Sequence, residues 1–188
     1  DYPWNGAVKI TVAELKGKKQ MALSLRIPAW CDDAKVSVNG QEIKAATYKG
    51  YIAVNRVWKK GDVVTLDMPM ETKIMEANPL VEESRGQVAV QRGPVIYCLE
   101  SSDLNGVSID DIALPVDARF TAVETTIGGS RMMALETTAV NRSEQSWKGT
   151  LYREVGKKKA DTKIRLIPYY AWGNRGKSEM TVWMPAVY

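Results

Sequence analysis

Cysteine, histidine and carboxylate side chains carry most hydrolytic chemistry, and this sequence holds two cysteines, Cys31 and Cys98, and no histidine. Without histidine neither a Ser-His-Asp nor a Cys-His nucleophile can be assembled, and no imidazole is on hand to ligate a metal. Two widely separated cysteines cannot form the thiolate-rich half of a zinc centre. Cys31 is followed by Asp32 and Asp33, whose negative charge would raise a thiol pKa. Cys98 lies between Tyr97 and Leu99 and reads as a small buried hydrophobe. The two could be free thiols or a single bridge. What remains is a carboxylate pair, which needs its two groups about 5 Å or about 6.5–9.5 Å apart. Glu76, Glu100, Glu82-Glu83 and Asp110-Asp111 are the candidates, but adjacent acids in polar stretches are those of solvated loops. The chain itself is expected to be non-catalytic.

The aromatic residues are the more informative set. Six Trp and eight Tyr stand against one Phe, a skew toward rings with a polar handle, as found at interfaces. Tyr169-Tyr170-Ala171-Trp172-Gly173-Asn174-Arg175 concentrates such rings beside an amide and a guanidinium. On a strand, Tyr169 and Tyr170 would face opposite ways, so only one would serve a given ligand. The segment fits a sugar platform, with C–H faces stacked on the rings, or a surface that docks on another domain. Trp4 and Trp30 are read in the same way. Trp58, before Lys59-Lys60-Gly61-Asp62, reads instead as core packing.

These side chains must be positioned by strands. Apolar and polar residues alternate at Val8–Val12, Met21–Ile27, Tyr51–Arg56, Val63–Met68, Gln87–Arg92, Val95–Glu100, Lys163–Ile167 and Thr181–Met184. Turn residues separate them at Lys16-Gly17, Asn39-Gly40, Lys60-Gly61-Asp62, Gly128-Gly129 and Asn174-Arg175-Gly176. Asn39-Gly40 predicts a two-residue hairpin with both residues at positive φ. Gly93-Pro94 predicts a bulge or corner, and Leu80–Ser84 a short helix at most. Short strands with frequent turns and almost no helix predict an all-β fold of two antiparallel β-sandwich, jelly-roll-like units. The boundary is expected near residue 100, giving units 1–100 and 101–188, with a return of the last strand to the first left open.

At 45% apolar and 26% charged, the composition is that of an ordinary globular protein. The net charge of +4 gathers in Lys16-Gly17-Lys18-Lys19, Lys59-Lys60 and Lys157-Lys158-Lys159, each beside a turn. Such tips discourage edge-to-edge strand pairing, and without aromatic platforms between them they do not read as a nucleic-acid surface. No apolar run approaches the roughly 20 residues of a membrane span. Asp1-Tyr2-Pro3-Trp4 reads as internal sequence, so an upstream part is expected.

Several phrases in fixed order carry a resemblance. They are Asp1-Tyr2-Pro3-Trp4-Asn5-Gly6, Leu25-Arg26-Ile27-Pro28-Ala29-Trp30-Cys31, Val38-Asn39-Gly40 and Trp58-Lys59-Lys60-Gly61-Asp62. Gln91-Arg92-Gly93-Pro94-Val95-Ile96-Tyr97-Cys98-Leu99-Glu100 follows, then Ile167-Pro168-Tyr169-Tyr170-Ala171-Trp172-Gly173-Asn174-Arg175-Gly176. The set resembles the C-terminal region of the bacterial β-L-arabinofuranosidases, glycoside hydrolase family 127 and its close relatives. The resemblance implies two β-sandwiches behind an N-terminal (α/α)6 barrel, in which cysteine thiolates and a glutamate hold zinc and one cysteine is the nucleophile. It therefore implies no cofactor in this segment, and Cys31 and Cys98 match sandwich phrases only. The implied partners are the barrel of the same polypeptide, a second copy in a homodimer, and plant glycan oligosaccharides, with no nucleic acid or membrane. Periplasmic or extracellular placement is implied, with a cytoplasmic one open. Tyr169, Tyr170, Trp172, Asn174, Arg175, Trp4 and Trp30 are then candidates for barrel docking. The alternative is a carbohydrate-binding module that uses them as its platform.

Overall fold

The computed structural model describes residues 1–17, 20–142, 151–152, 154 and 160–188. Lys18-Lys19 and Lys157-Lys158-Lys159 lie outside the described residues, as does Trp147. Among the described residues regular structure is β-strand, interrupted only by four short 3-10 turns. One of those turns, Glu82–Ser84, takes the place of the short helix expected near Leu80. The chain divides into two compact units, Asp1–Glu71 and Thr72–Tyr188.

The first unit has six strands: β1 (Ala7–Thr11), β2 (Gln20–Arg26), β3 (Lys35–Val38), β4 (Gln41–Glu42), β5 (Tyr51–Val57) and β6 (Val63–Asp67). They form a four-stranded sheet in the order β1-β6-β3-β4 and a two-stranded sheet of β2 and β5. Period-two alternation does its expected work here. Val36 and Val38 of β3, Val64 and Leu66 of β6, and Ile52 and Val54 of β5 turn inward to one core. Trp58 fills that core at 2% exposure and donates its indole N–H to the Met21 carbonyl at 2.9 Å. Arg56 lies over the same ring.

Asn39 and Gly40 have φ of 51° and 80°, the two-residue hairpin expected, with Val38 paired to Gln41. Asn39 does more than turn the chain. Its Oδ1 accepts from Val63 N–H at 2.8 Å, and its Nδ2 donates to Asp62 Oδ1 at 2.9 Å. Asp62 Oδ2 in turn accepts from Lys59 N–H at 2.8 Å, so two hairpin tips are stitched together. These bonds, Asn39 foremost, hold the Asp62 carboxyl below its ordinary pKa.

The second unit contains β7 (Thr72–Glu76), β8 (Gln87–Arg92), β9 (Val95–Glu100), β10 (Ile112–Pro115), β11 (Thr121–Ile127), β12 (Ser130–Asn141), β13 (Ala160–Pro168), β14 (Met180–Thr181) and β15 (Met184–Val187). The hydrogen-bonded path β8-β9-β13-β12-β10-β15 returns to β8, a closed, barrel-like ring of six strands rather than two facing sheets. All pairs are antiparallel except β10 with β15. Strands in such a ring can be covered on both faces: Tyr97, Cys98, Leu99 and Glu100 are consecutive and each 0% exposed, as are Ile112, Ala113 and Leu114.

Two sequence expectations are corrected. The units meet at Glu71/Thr72 and not near residue 100, because β8 and β9 close the second ring. The last strand pairs back onto a strand within residues 1–100, Met184 of β15 with Val88 of β8, and Ala186 pairs with Leu114 of β10. Gly93-Pro94 is a tight hairpin turn and not a corner, with Arg92 opposite Val95 and Gly93 at φ 54°.

Candidate interaction surface

The aromatic segment is built onto the end of β9. Pro168 closes β13, and Tyr169–Ala171 then forms a 3-10 turn. The expected strand continuation through Tyr169 and Tyr170 therefore does not occur, and both rings face outward, 46% and 61% exposed. Trp172 follows at 43%. Gly173, at φ 76°, reverses the chain so that its N–H meets Glu100 Oε1 at 2.8 Å.

Glu100 is the anchor. It is fully buried at the end of an apolar strand, and every bond it makes reaches the loop that carries the aromatics. Ser178 Oγ donates to Glu100 Oε1 at 3.1 Å, and Arg175 reaches Glu100 Oε2 through Nε at 2.8 Å and also through Nη2. The guanidinium continues to Asp103, with Nη1 to Oδ1 at 2.9 Å and Nη2 to Oδ2 at 2.6 Å. Ser101 and Glu179 exchange two more bonds, at 3.0 and 2.9 Å, and Met180 of β14 then pairs beside Glu100. The loop from Tyr169 to Glu179 is thus fastened at both ends. Charge-assisted, forked bonds of this kind fix geometry as well as supply energy.

Burial pushes the Glu100 pKa up, but the Gly173 N–H, Arg175 and Ser178 outweigh it and hold the carboxyl below its ordinary 4.5. A carboxyl depressed in the folded state stabilises the fold above its unfolded pKa, and that contribution drains away as pH falls through the folded value. The second unit is therefore expected to lose stability as the pH drops below 4.5. Urea unfolding followed across that range should show a shallower acid loss in Glu100→Gln than in the wild type. Parallel acid profiles would disprove the linkage.

The candidate residues separate into three groups. Tyr169, Tyr170 and Trp172 come together as an exposed aromatic edge. Arg175 and Asn174 are turned to internal work: Arg175 holds Glu100 and Asp103, and Asn174 Nδ2 donates to the Ala171 carbonyl at 3.1 Å. Trp4 and Trp30 belong to the first unit, both half-buried, Trp4 in a turn closed by its N–H on the Asp1 carbonyl and Trp30 against the core.

Sequence reasoning missed the residues that extend the edge. A shallow apolar depression is lined by Ile96, Tyr169, Met180, Val182 and Trp183. It exists because Thr181–Met184, expected as one strand, breaks into β14 and β15 and leaves Val182 and Trp183 between them. Glu100 was also missed as an organiser. Its signal was a lone carboxylate ending the apolar run Val95-Ile96-Tyr97-Cys98-Leu99, with an arginine waiting in a later phrase.

Cys31 and Cys98 are both buried and unbridged, one in each unit, and burial together with the Glu100 charge pushes Cys98 up to about 12. Among the described residues no three Cys, Asp or Glu side chains gather so as to hold a metal ion. Glu82-Glu83 and Asp110-Asp111 sit in 3-10 turns, Glu82 paired to Arg85 at 3.2 Å.

Comparison with known proteins bears on both units. Residues 1–70 match the family model described as beta-L-arabinofuranosidase, GH127 middle domain, and residues 72–185 that of the glycoside hydrolase family 127 C-terminal domain. The two matches meet where the compact units do. A non-reducing end beta-L-arabinofuranosidase of Bifidobacterium longum subsp. longum is 30% identical over 193 residues, spanning 97% of this chain and 29% of that protein. A structure described as a glycoside hydrolase superposes with a TM-score of 0.91 at 50% identity, covering 100% of this chain and 31% of its own. The crystal structure of a GH127 beta-L-arabinofuranosidase from Geobacillus stearothermophilus T6 also gives 0.91, at 38% identity, with 99% of this chain and 29% of its own covered. The chain thus spans 29% to 31% of the length of these relatives.

Proposed function

This chain belongs to glycoside hydrolase family 127, and we propose that it is the non-catalytic C-terminal region of such an enzyme, two accessory β domains that brace an (α/α)6 catalytic barrel. On this reading the whole enzyme removes β-L-arabinofuranosyl units from plant glycans, and its zinc and thiolate nucleophile reside in the barrel. The aromatic edge of Tyr169, Tyr170 and Trp172, with the depression beside it, docks on that barrel.

The observation that carries the docking reading is the contrast at this edge. Large rings stand outward on a loop whose every polar anchor is satisfied inside the unit by Glu100 and Asp103. A rigid apolar patch with polar handles is the composition of an interface core, since ordering it on binding costs little. The length of the relatives leaves ample polypeptide to cover it.

The barrel and this chain, produced as separate polypeptides, should associate. Tyr169→Ala with Trp183→Ala should weaken that association at least tenfold, about 1.4 kcal/mol, as expected for loss of interface anchors. Unchanged affinity in the double variant would remove the docking face, and hydrolysis of an arabinofuranoside by this chain alone at an enzyme-like rate would remove the non-catalytic reading.

The exposure of Tyr170 and Trp172 also favours a second reading, a carbohydrate-binding module. Arabino-oligosaccharides would then shift the Trp172 indole N–H signal saturably in a nuclear magnetic resonance titration, and Trp172→Ala would abolish binding.

A further inference from the structure

A second feature of the Thr72–Tyr188 unit has no aromatic lining. The strands β11, β12 and β13 place Thr121, Glu136 and Arg165 side by side in register, and the next rung sets Thr138 against Lys163. With Asp103 and Arg119 these residues line a cleft of about 490 Å³. Small-molecule sites run roughly from 300 to 1,000 Å³.

The charges in the cleft are unequally satisfied. Glu136 is held by Arg165, whose Nε and Nη2 reach Oε1 at 3.1 and 2.5 Å. Asp103 is held by the Arg175 fork. Glu136 thus has an arginine of its own, whereas Asp103 shares Arg175 with the buried Glu100. Arg119 and Lys163 are exposed, and among the described residues neither charged end has a hydrogen bond or ion pair. The cleft thus presents two cations without hydrogen-bonded partners beside the hydroxyls of Thr121 and Thr138.

We propose that this cleft binds a sugar acid, its carboxylate between Arg119 and Lys163 and its ring hydroxyls on Thr121, Thr138 and the Glu136–Arg165 pair. Without an aromatic platform, a neutral pentose would have only hydroxyl contacts, whereas a carboxylate adds charge-assisted bonds to cations that otherwise lack partners. The anion preference rests on Arg119 and Lys163, and the choice of a sugar acid over other carboxylates on Thr121, Thr138 and the Glu136–Arg165 pair, which can take ring hydroxyls. Apart from Asp103 the cleft shares no residue with the docking face, so either assignment can fail without the other.

Calorimetric titration of the chain with galacturonate, arabinose and inorganic phosphate separates the outcomes. Galacturonate is expected to bind saturably and more weakly as salt is raised, because exposed charges are screened. Arg119→Gln with Lys163→Gln, both surface changes that should leave folding intact, should weaken it by about tenfold or more. Arabinose binding as well as galacturonate would overturn the role of charge. Phosphate binding more tightly than galacturonate would overturn the sugar-acid assignment, as would no saturable binding of any of the three. Loss of arabino-oligosaccharide or barrel binding in the Tyr169 and Trp183 variants would leave galacturonate binding unchanged.

Discussion

Arg175→Ala is expected to destabilise the Thr72–Tyr188 unit by about 3 kcal/mol, the lower end for breaking a buried ion pair. Glu100 has no exposure at all, while the Arg175 side chain keeps 25%, so the charge left behind is the more deeply buried of the two. Losing the guanidinium removes two bonds to Glu100 and two to Asp103, and it leaves the carboxylate with only Gly173 and Ser178. The carboxyl will then take up a proton more readily, which softens the loss at low pH and sharpens it near neutrality. Urea unfolding at neutral pH measures the change. Glu100→Gln combined with Arg175→Met should recover most of it, since a neutral pair carries no stranded charge. A double variant as unstable as the single one would mean that the loop is held by something other than charge pairing. Loosening the loop should also free Tyr169 and Trp172, visible as faster amide exchange from 169 to 179.

Gly6→Ala is the corresponding test in the first unit. A Cβ on Gly6 would stand 1.8 Å from the carbonyl oxygen of Met68 and 2.7 Å from its carbonyl carbon. Both are backbone atoms, so no side chain can swing aside. Gly6 also accepts from Met68 N–H at 3.2 Å, extending the ladder in which Ala7 pairs with Asp67. A methyl group must push the ends of β1 and β6 apart, with Leu66 and Met68 of the core attached to the displaced strand. The expected cost is about 3 kcal/mol, the upper range for overpacking. Hydrogen exchange at Val64 and Leu66 should accelerate accordingly. A variant within about 0.5 kcal/mol of wild type, the size of an ordinary surface substitution, would show that the close approach is easily relieved.

The two units differ in how much of them could be read from sequence. In the first, each sheet has one face on the core, so alternation at Tyr51–Val57 and the Asn39-Gly40 turn translate directly into β5 and a hairpin. In the second, residues such as Tyr97 to Glu100 are covered on both faces, and alternation carries no signal there. Closure of the ring depends on pairings between distant segments, which no local pattern encodes, and the boundary was misplaced for that reason. At the aromatic segment, composition identified the outward rings Tyr169, Tyr170 and Trp172. It could not tell them from Asn174 and Arg175, because a guanidinium facing solvent and one facing a buried carboxylate look alike in a string of letters. Trp183 and Ile96 were passed over because each lies in what reads as ordinary strand sequence.

The β8–β15 pairing has a consequence for synthesis on the ribosome. Every strand of the first unit lies within Asp1–Glu71, so that core can complete itself as soon as this stretch has emerged. Val88 and Gln87 meet Met184 and Pro185, and Leu114 and Pro115 meet Ala186 and Val187. The edges of β8 and β10 therefore stay open until those last strand residues are translated. Through that interval the nascent chain carries unpaired strand edges flanked by apolar residues, the condition under which chains associate wrongly. The second unit is thus the slow, vulnerable step, and a chaperone that shields strands would act there and not on the first.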